Sequence, residues 1–345
     1  MTRNLEIIST VRSSKLEPFY EERVRRLVIL GSTILRYNIS KHDAVDYVKD
    51  IFTAKDIISS MNLLTKIKIM VDIPLPGTKI RLGRFPQNEI KVAKGQKVIF
   101  KSSFEPVCFG DFIPIKCDAI GNKVFHEQII VYGDGEGRFI IDDIIDDNSF
   151  SALSQNSFSM WSHKGIHIGS ITNQMSDPIE VRKYIDFLSS ISPDMVAFSF
   201  VESSEQVINL KKLFSAILEQ KKIDFVSKIE TSTGVKNIED IAELSDYIMI
   251  ARGDLALTSP FTMLGIYQKR IIEACKKKGV NVYVATDILD SLYFKSIPSR
   301  AEIIDITDLI ISEVAGVVLS APLSACENSE LVIGTIKEIQ HLIEK

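Results

Sequence analysis

Eight short runs of β-branched and apolar residues alternate with amphipathic helical patterns along most of this 345-residue chain. That rhythm constrains the fold more than any other feature. The runs cover residues 5–11, 33–38, 67–73, 195–201, 225–230, 247–252, 281–286 and 316–320. Helix-periodic segments run over 17–30, 44–61, 203–219, 235–244, 262–277, 300–314 and 329–345. Two strands joined by a helix return in the same direction, so repeated strand–helix units build a parallel sheet. Eight such units match a closed (β/α)8 TIM barrel of the α/β class.

Residues 83–165 break the rhythm. Strand-like alternation there is punctuated by Lys94-Gly95-Gln96, Ala119-Ile120-Gly121-Asn122 and Gly133-Asp134-Gly135, residue types that favour turns. The expected organisation is therefore a barrel from residues 1–82 and 166–345, with a β-rich domain over 83–165 inserted after the third strand. An insertion at that face of a barrel suggests a lid.

Composition narrows the function. A net charge of −4 offers no general attraction for nucleic acid, so phosphate recognition must come from a local cluster. No apolar run is long enough to cross a membrane, and the first residues show no signal-peptide core; a soluble, cytoplasmic protein is expected. Cys108, Cys117, Cys275 and Cys326 lack CxxC spacing and read as buried thiols. His42, His163 and His167 are not spaced as a metal site.

Catalytic groups of TIM barrels stand at the C-terminal ends of the strands. Those ends carry Thr10, Arg36 with Asn38, Asp72, Ser199, Lys228 with Glu230, Arg252 with Asp254, Thr286 and Ser320. Alternation along a strand sends Lys228 and Glu230 to one face. A lysine beside two carboxylates on neighbouring strand ends suits a divalent cation and an anionic substrate.

The order Lys228-Ile229-Glu230, Gly234-Val235, Ala251-Arg252-Gly253-Asp254-Leu255 resembles the core signature of pyruvate kinase. The likeness covers essentially the whole chain. Arg36-Tyr37-Asn38-Ile39-Ser40 is similar to the family's R-x-N-x-S, and Pro76-Gly77-Thr78-Lys79-Ile80-Arg81 to its G-P-[EK]-I-R. Asp134-Gly135 and Lys164-Gly165 fall where the family's lid carries an Asp-Gly and where its chain re-enters the barrel. Ala285-Thr286-Asp287-Ile288-Leu289-Asp290-Ser291 is similar to A-T-Q-M-L-E-S, and Pro298-Ser299-Arg300-Ala301-Glu302 to P-T-R-A-E.

The resemblance implies Mg2+ or Mn2+ held by Glu230 and Asp254, with Lys228 neutralising a phosphoryl group in transfer. It implies Arg36 and Arg81 as phosphate forks, Thr286 beside an enolate, and the Arg252-Gly253-Asp254 backbone binding a carboxylate. Asn38 and Ser199 complete the substrate-facing set. The implied ligands are phosphoenolpyruvate or pyruvate-like acids, and ADP or ATP. Lys79 stands where K+-dependent members carry Glu, so K+ is expected to be dispensable.

Three departures qualify the match. The chain ends after its eighth helix, where relatives continue into a further domain; this leads us to expect a monomer or small homo-oligomer without control through that domain. The first-strand C-T-I-G-P-x-S is here Ser9-Thr10-Val11-Arg12-Ser13-Ser14, and the eighth-strand S-G-E-T is Ser320-Ala321-Pro322-Leu323. The metal, lysine and enolate half is kept, whereas the nucleotide half is altered. The expected activity is a metal-dependent phosphoryl transfer on phosphoenolpyruvate, pyruvate or a related 2-oxo or 2-hydroxy acid in a specialised pathway. The alternatives are a pyruvate-enolate lyase or aldolase, and a silent ligand-binding homologue.

Overall fold

The computed structural model describes residues 4–345 apart from 40–43, 62, 65, 75–79, 86, 104–111, 134, 169–177, 216 and 218–221. The motif residues Ser40, Gly77, Lys79 and Asp134, together with His42 and Cys108, lie outside the described residues.

Three strands come first: β1 (Glu6–Thr10), β2 (Ile34–Asn38) and β3 (Lys68–Ile73). The inserted segment then supplies β4 (Glu89–Val92), β5 (Lys97–Ser102), β6 (Ile113–Ile115), β7 (Ile129–Tyr132), β8 (Gly137–Asp146), β9 (Ser149–Ser154), β10 (Phe158–Trp161) and β11 (Ile166–Ile168). Five more follow: β12 (Met195–Phe198), β13 (Asp224–Ile229), β14 (Tyr247–Ala251), β15 (Asn281–Ala285) and β16 (Gly316–Leu319). Strands β1–β3 and β12–β16 close into a barrel, and every pairing within it is parallel. The expected α/β barrel is therefore the observed one, and each expected run matches its strand to within three residues at either end.

The period of two along each strand explains how an apolar barrel acquires a polar mouth. Ile8, Ile34, Met70, Ala197, Val226 and Val318 share one buried cluster. Two residues further along the same strand paths, on the same face, stand Thr10, Arg36, Asp72, Ser199, Lys228 and Ser320. The apolar layer below excludes water, while the layer above carries charge and hydroxyl. Towards the strand starts, the rings of Tyr247 and Tyr283 stack at 5.1 Å. Tyr283 donates to Glu6 at 2.8 Å, and Lys68 lies 3.7 Å from Asp224.

Two helical details differ from the expected pattern. A helix spans Pro178–Ile191, although the sequence reading placed no helix there. The segment expected as one helix over 235–244 is two, Ser232–Lys236 and Ile238–Leu244, which meet at Asn237.

The second compact unit comprises Pro76–Ser176 with Ala256–Met263, wider than the expected 83–165. Backbone hydrogen bonding accounts for the difference at both ends. Strand β11 pairs with β7, while Arg81 bridges Gly165 and Leu82 bridges Ile115. These flanking residues therefore spend their backbone groups in this unit. Its six-stranded sheet runs β11-β7-β8-β9-β5-β6, and Phe100 packs against Phe139 and Phe150, each at 5.2 Å. Among the described residues, no helix is long and apolar enough to cross a membrane.

Candidate active site

Asp72, at 1% exposure, is the penultimate residue of β3 and lies between two cations. Arg36 on β2 grips it with both arms of the guanidinium, Nε to Oδ1 at 3.0 Å and Nη2 to Oδ2 at 2.5 Å. Its remaining arm, Nη1, donates to Thr10 Oγ1 at 2.8 Å. From β13, Lys228 Nζ approaches the same Oδ2 at 3.3 Å, stands 3.0 Å from Glu230 Oε1 and donates to Ser199 Oγ at 2.9 Å. Three strand paths, β2, β3 and β13, thus bring two cations and two carboxylates into one buried cluster, with hydroxyls from β1 and the end of β12. Asn38 lies opposite Asp72 in the β2–β3 register, at the same height.

Charge balance sets the protonation states. Burial would drive the Lys228 ammonium toward neutrality, but Glu230 and Asp72 outweigh it and raise its pKa. Burial likewise opposes the Asp72 carboxylate, and Arg36 and Lys228 reverse that, holding its pKa below the ordinary value. Glu230 goes the other way. Burial and the nearby Asp254 raise its pKa despite the pull of Lys228.

A divalent cation beside Glu230 and Asp254 would favour their ionised forms. Glu230 Oε2 accepts from the Phe200 N–H at 2.6 Å and Oε1 faces Lys228. An ionised carboxylate presents only acceptor oxygens, the donor type that hard divalent cations take. Asp254 lies in the first turn of the helix Arg252–Thr258, close enough to influence both Lys228 and Glu230 electrostatically. Among the described residues no group of three or more His, Cys, Asp or Glu is arranged for a metal. Two hard carboxylates nevertheless fit Mg2+ or Mn2+, which retain water and substrate oxygens in the remaining positions.

Two glycines of the signature have steric reasons. A Cβ on Gly234 would sit 2.7 Å from the Val201 carbonyl oxygen, so only glycine lets this helix approach the end of β12. A Cβ on Gly253 would lie 3.2 Å and 3.3 Å from Thr286 Cγ2 and Oγ1. Thr286 therefore packs directly over the Arg252-Gly253-Asp254 turn.

The expected residues fall on several elements of the two units. Glu230, Lys228, Ser199 and Arg36 belong to the barrel cluster, and Thr286 and Asp254 flank Gly253. Arg81 belongs to the inserted unit, where its Nη1 donates to the His163 carbonyl at 3.2 Å. The Arg252 side chain points to backbone and acid groups of its own barrel: its Nη1 meets Asp305 Oδ2 at 2.7 Å. The expected carboxylate contact for this turn concerned its backbone, so the side chain has a separate task. Ser320, on the altered eighth strand, donates to Asp290 Oδ1 at 3.1 Å and accepts from the Leu323 N–H.

Sequence reading placed Asp72 in the polar ring without giving it a role, and it missed Gln268 and Asp305. The register Asn38↔Asp72 would have revealed Asp72 once the β2–β3 pairing was fixed. The other two lie on helices, where no motif marks a side chain that reaches a neighbouring loop.

A family model described as pyruvate kinase, barrel domain, matches residues 2–328. The chain belongs to the pyruvate kinase family. The pyruvate kinase of Thermococcus litoralis is 29% identical over 321 residues, covering 91% of this chain and 64% of that protein. For the pyruvate kinase of Thermoplasma acidophilum the identity is 28%, covering 98% of this chain and 58% of that protein. The crystal structure of a pyruvate kinase from Cryptosporidium parvum superposes with a TM-score of 0.86 at 22% identity, over 99% of this chain and 70% of that one; at that identity it speaks to fold. The chain spans 58–64% of the length of these two curated relatives.

Proposed function

We propose that this chain catalyses a divalent-cation-dependent phosphoryl transfer involving phosphoenolpyruvate, pyruvate or a related 2-oxo or 2-hydroxy acid, in a specialised pathway. The observation that carries the reading is Lys228, buried to 7% exposure and held between Asp72, Glu230 and Ser199 at the barrel mouth. A buried ammonium kept charged by fixed carboxylates is expensive to build, and it suits a reaction whose catalysis is chiefly placed positive charge.

Glu230 and Asp254 would hold Mg2+ or Mn2+, which supplies charge neutralisation for the substrate's carboxylate and enolate oxygens. Lys228 would face the phosphoryl group as it moves. Arg36, a permanently charged planar fork, would offer donors to phosphate oxygens while Asp72 fixes its orientation. The Arg252-Gly253-Asp254 turn would receive the substrate carboxylate. Thr286, packed on Gly253, would orient the proton delivered to the enolate carbon. Nucleotide is the proposed partner in transfer, and the changed residues at Arg12–Ser14 and Ala321–Leu323 make its binding the part of the site most altered from the family pattern. We also propose that Lys79 makes K+ dispensable.

The test is 31P NMR of the purified chain with phosphoenolpyruvate, ADP and Mg2+, with and without K+, beside Lys228→Ala. Formation of ATP that disappears in the variant supports the reading, and a rate indifferent to K+ supports the assignment of Lys79. An unchanged spectrum despite bound phosphoenolpyruvate sinks nucleotide-dependent transfer. Enolate chemistry without transfer, or silent binding, then takes its place.

A further inference from the structure

Thr286 and Asp287 follow β15 with φ of 78° and 55°. Consecutive non-glycine residues in the left-handed region are unusual, and a β-branched threonine there is held against its own preference. Such conformations are costly and persist only where surrounding contacts impose them.

The imposing group is Arg252. Its Nε donates to the Thr286 carbonyl at 3.0 Å, and its Nη2 donates to that oxygen at 2.5 Å and to the Asp287 carbonyl at 3.2 Å. The opposite edge of the guanidinium is anchored through Nη1, to Asp305 Oδ2 at 2.7 Å and Gln268 Oε1 at 3.3 Å. Arg252 is 7% exposed, so these contacts are little screened by solvent. Gly253, the next residue, supplies the bare surface on which the Thr286 side chain rests. One face of Thr286 is thus fixed by its carbonyl and the other by its side-chain packing, both from the same turn.

We infer that Arg252 is the positioning residue for Thr286, with Asp305 and Gln268 as the tethers that aim it. Lysine cannot reproduce this, because a single ammonium lacks the planar fork that spans two carbonyls and a carboxylate. The consequence for catalysis rests on the proposed role of Thr286 in protonating the enolate. Loosening Arg252 slows that proton transfer and leaves metal binding by Glu230 and Asp254 intact.

The experiment compares the full chain with Arg252→Lys and Asp305→Asn by three measurements. These are amide hydrogen exchange across residues 284–292, affinity for Mn2+ alone, and turnover with deuterium incorporation into the pyruvate methyl group. The expected result is faster exchange confined to this loop, with unchanged Mn2+ affinity. kcat and deuterium incorporation fall together by roughly 10–100-fold, as for a displaced catalytic group, while KM stays near wild type. Unchanged loop exchange overturns the inference, as does Mn2+ affinity that falls in step with activity. An unaltered kcat in an active enzyme with a loosened loop overturns its catalytic half. If wild type shows no turnover, the proposed function fails, and loop exchange alone decides whether Arg252 positions Thr286. Should Arg252→Lys fail to fold, Asp305→Asn retains the guanidinium and carries the same test.

Discussion

Asp72 shows how one carboxylate can hold two cations at the barrel mouth. It binds Arg36 through two hydrogen bonds and approaches Lys228 at 3.3 Å, so its loss would leave two buried cations short of charge. Removing one partner of such a buried network typically costs about 3–5 kcal/mol, and Asp72→Asn is expected to fall in that range by urea denaturation. Its pKa is lowered in the fold. Near the unfolded carboxylate value of ~3.9, the unfolded chain therefore binds the proton first. The stabilisation is full above that value and is lost as pH falls through the lower folded pKa. Asp72→Asn should accordingly flatten the acid limb of stability against pH, and an acid limb unchanged from wild type would remove Asp72 from this role. At the neighbouring turn, Gly253→Ala places a methyl 3.2–3.3 Å from Thr286 atoms. Displacing Thr286 should lower kcat by about 10-fold, a change that steady-state kinetics would detect.

The helix Arg300–Ile311 joins two of the chain's motifs into one device. Ser299 caps it by accepting from the Glu302 N–H at 3.2 Å, and Glu302 accepts in return from the Ser299 N–H at 2.8 Å. Glu302 also receives the Ser291 N–H at 2.8 Å and the Ser291 hydroxyl. The Pro298–Glu302 motif therefore fastens the far end of the loop that begins at Thr286. One helical turn later, Asp305 aims Arg252 at the loop's near end. Ser299→Ala should destabilise the protein by about 1 kcal/mol, the usual value of a side-chain cap. Thermal unfolding would report that loss, and unchanged stability would show that Glu302 holds the loop without help from the cap.

Across the barrel, the candidate catalytic groups occupy one end of the strands and a separate polar network the other. The mouth gathers Arg36, Asp72, Lys228 and Glu230. The strand starts gather Glu6, Lys68, Asp224, Tyr247 and the fully buried Tyr283. Tyr283→Phe removes a hydrogen bond to a carboxylate and should cost about 1.5–3 kcal/mol, with kcat unchanged. A fall in kcat matching the fall in stability would contradict this separation, which barrel enzymes generally show.

The sequence by itself determined the strand and helix rhythm, the barrel and the identity of most charged groups at its mouth. Those features are local: alternation fixes which face a residue takes, and strand–helix order fixes parallel pairing. The same local reasoning passed over the helix Pro178–Ile191 and could not foresee the pairing of β11 with β7, which is a long-range event. Tertiary structure alone decided what each charge does. It turned Arg36 onto Asp72, drew Lys228 among three partners, and spent the Arg252 guanidinium on the carbonyls of Thr286 and Asp287. Asp305 stands 53 residues from Arg252 along the chain. A contact of that kind arises from packing of helices around the closed sheet, and no spacing in the sequence encodes it.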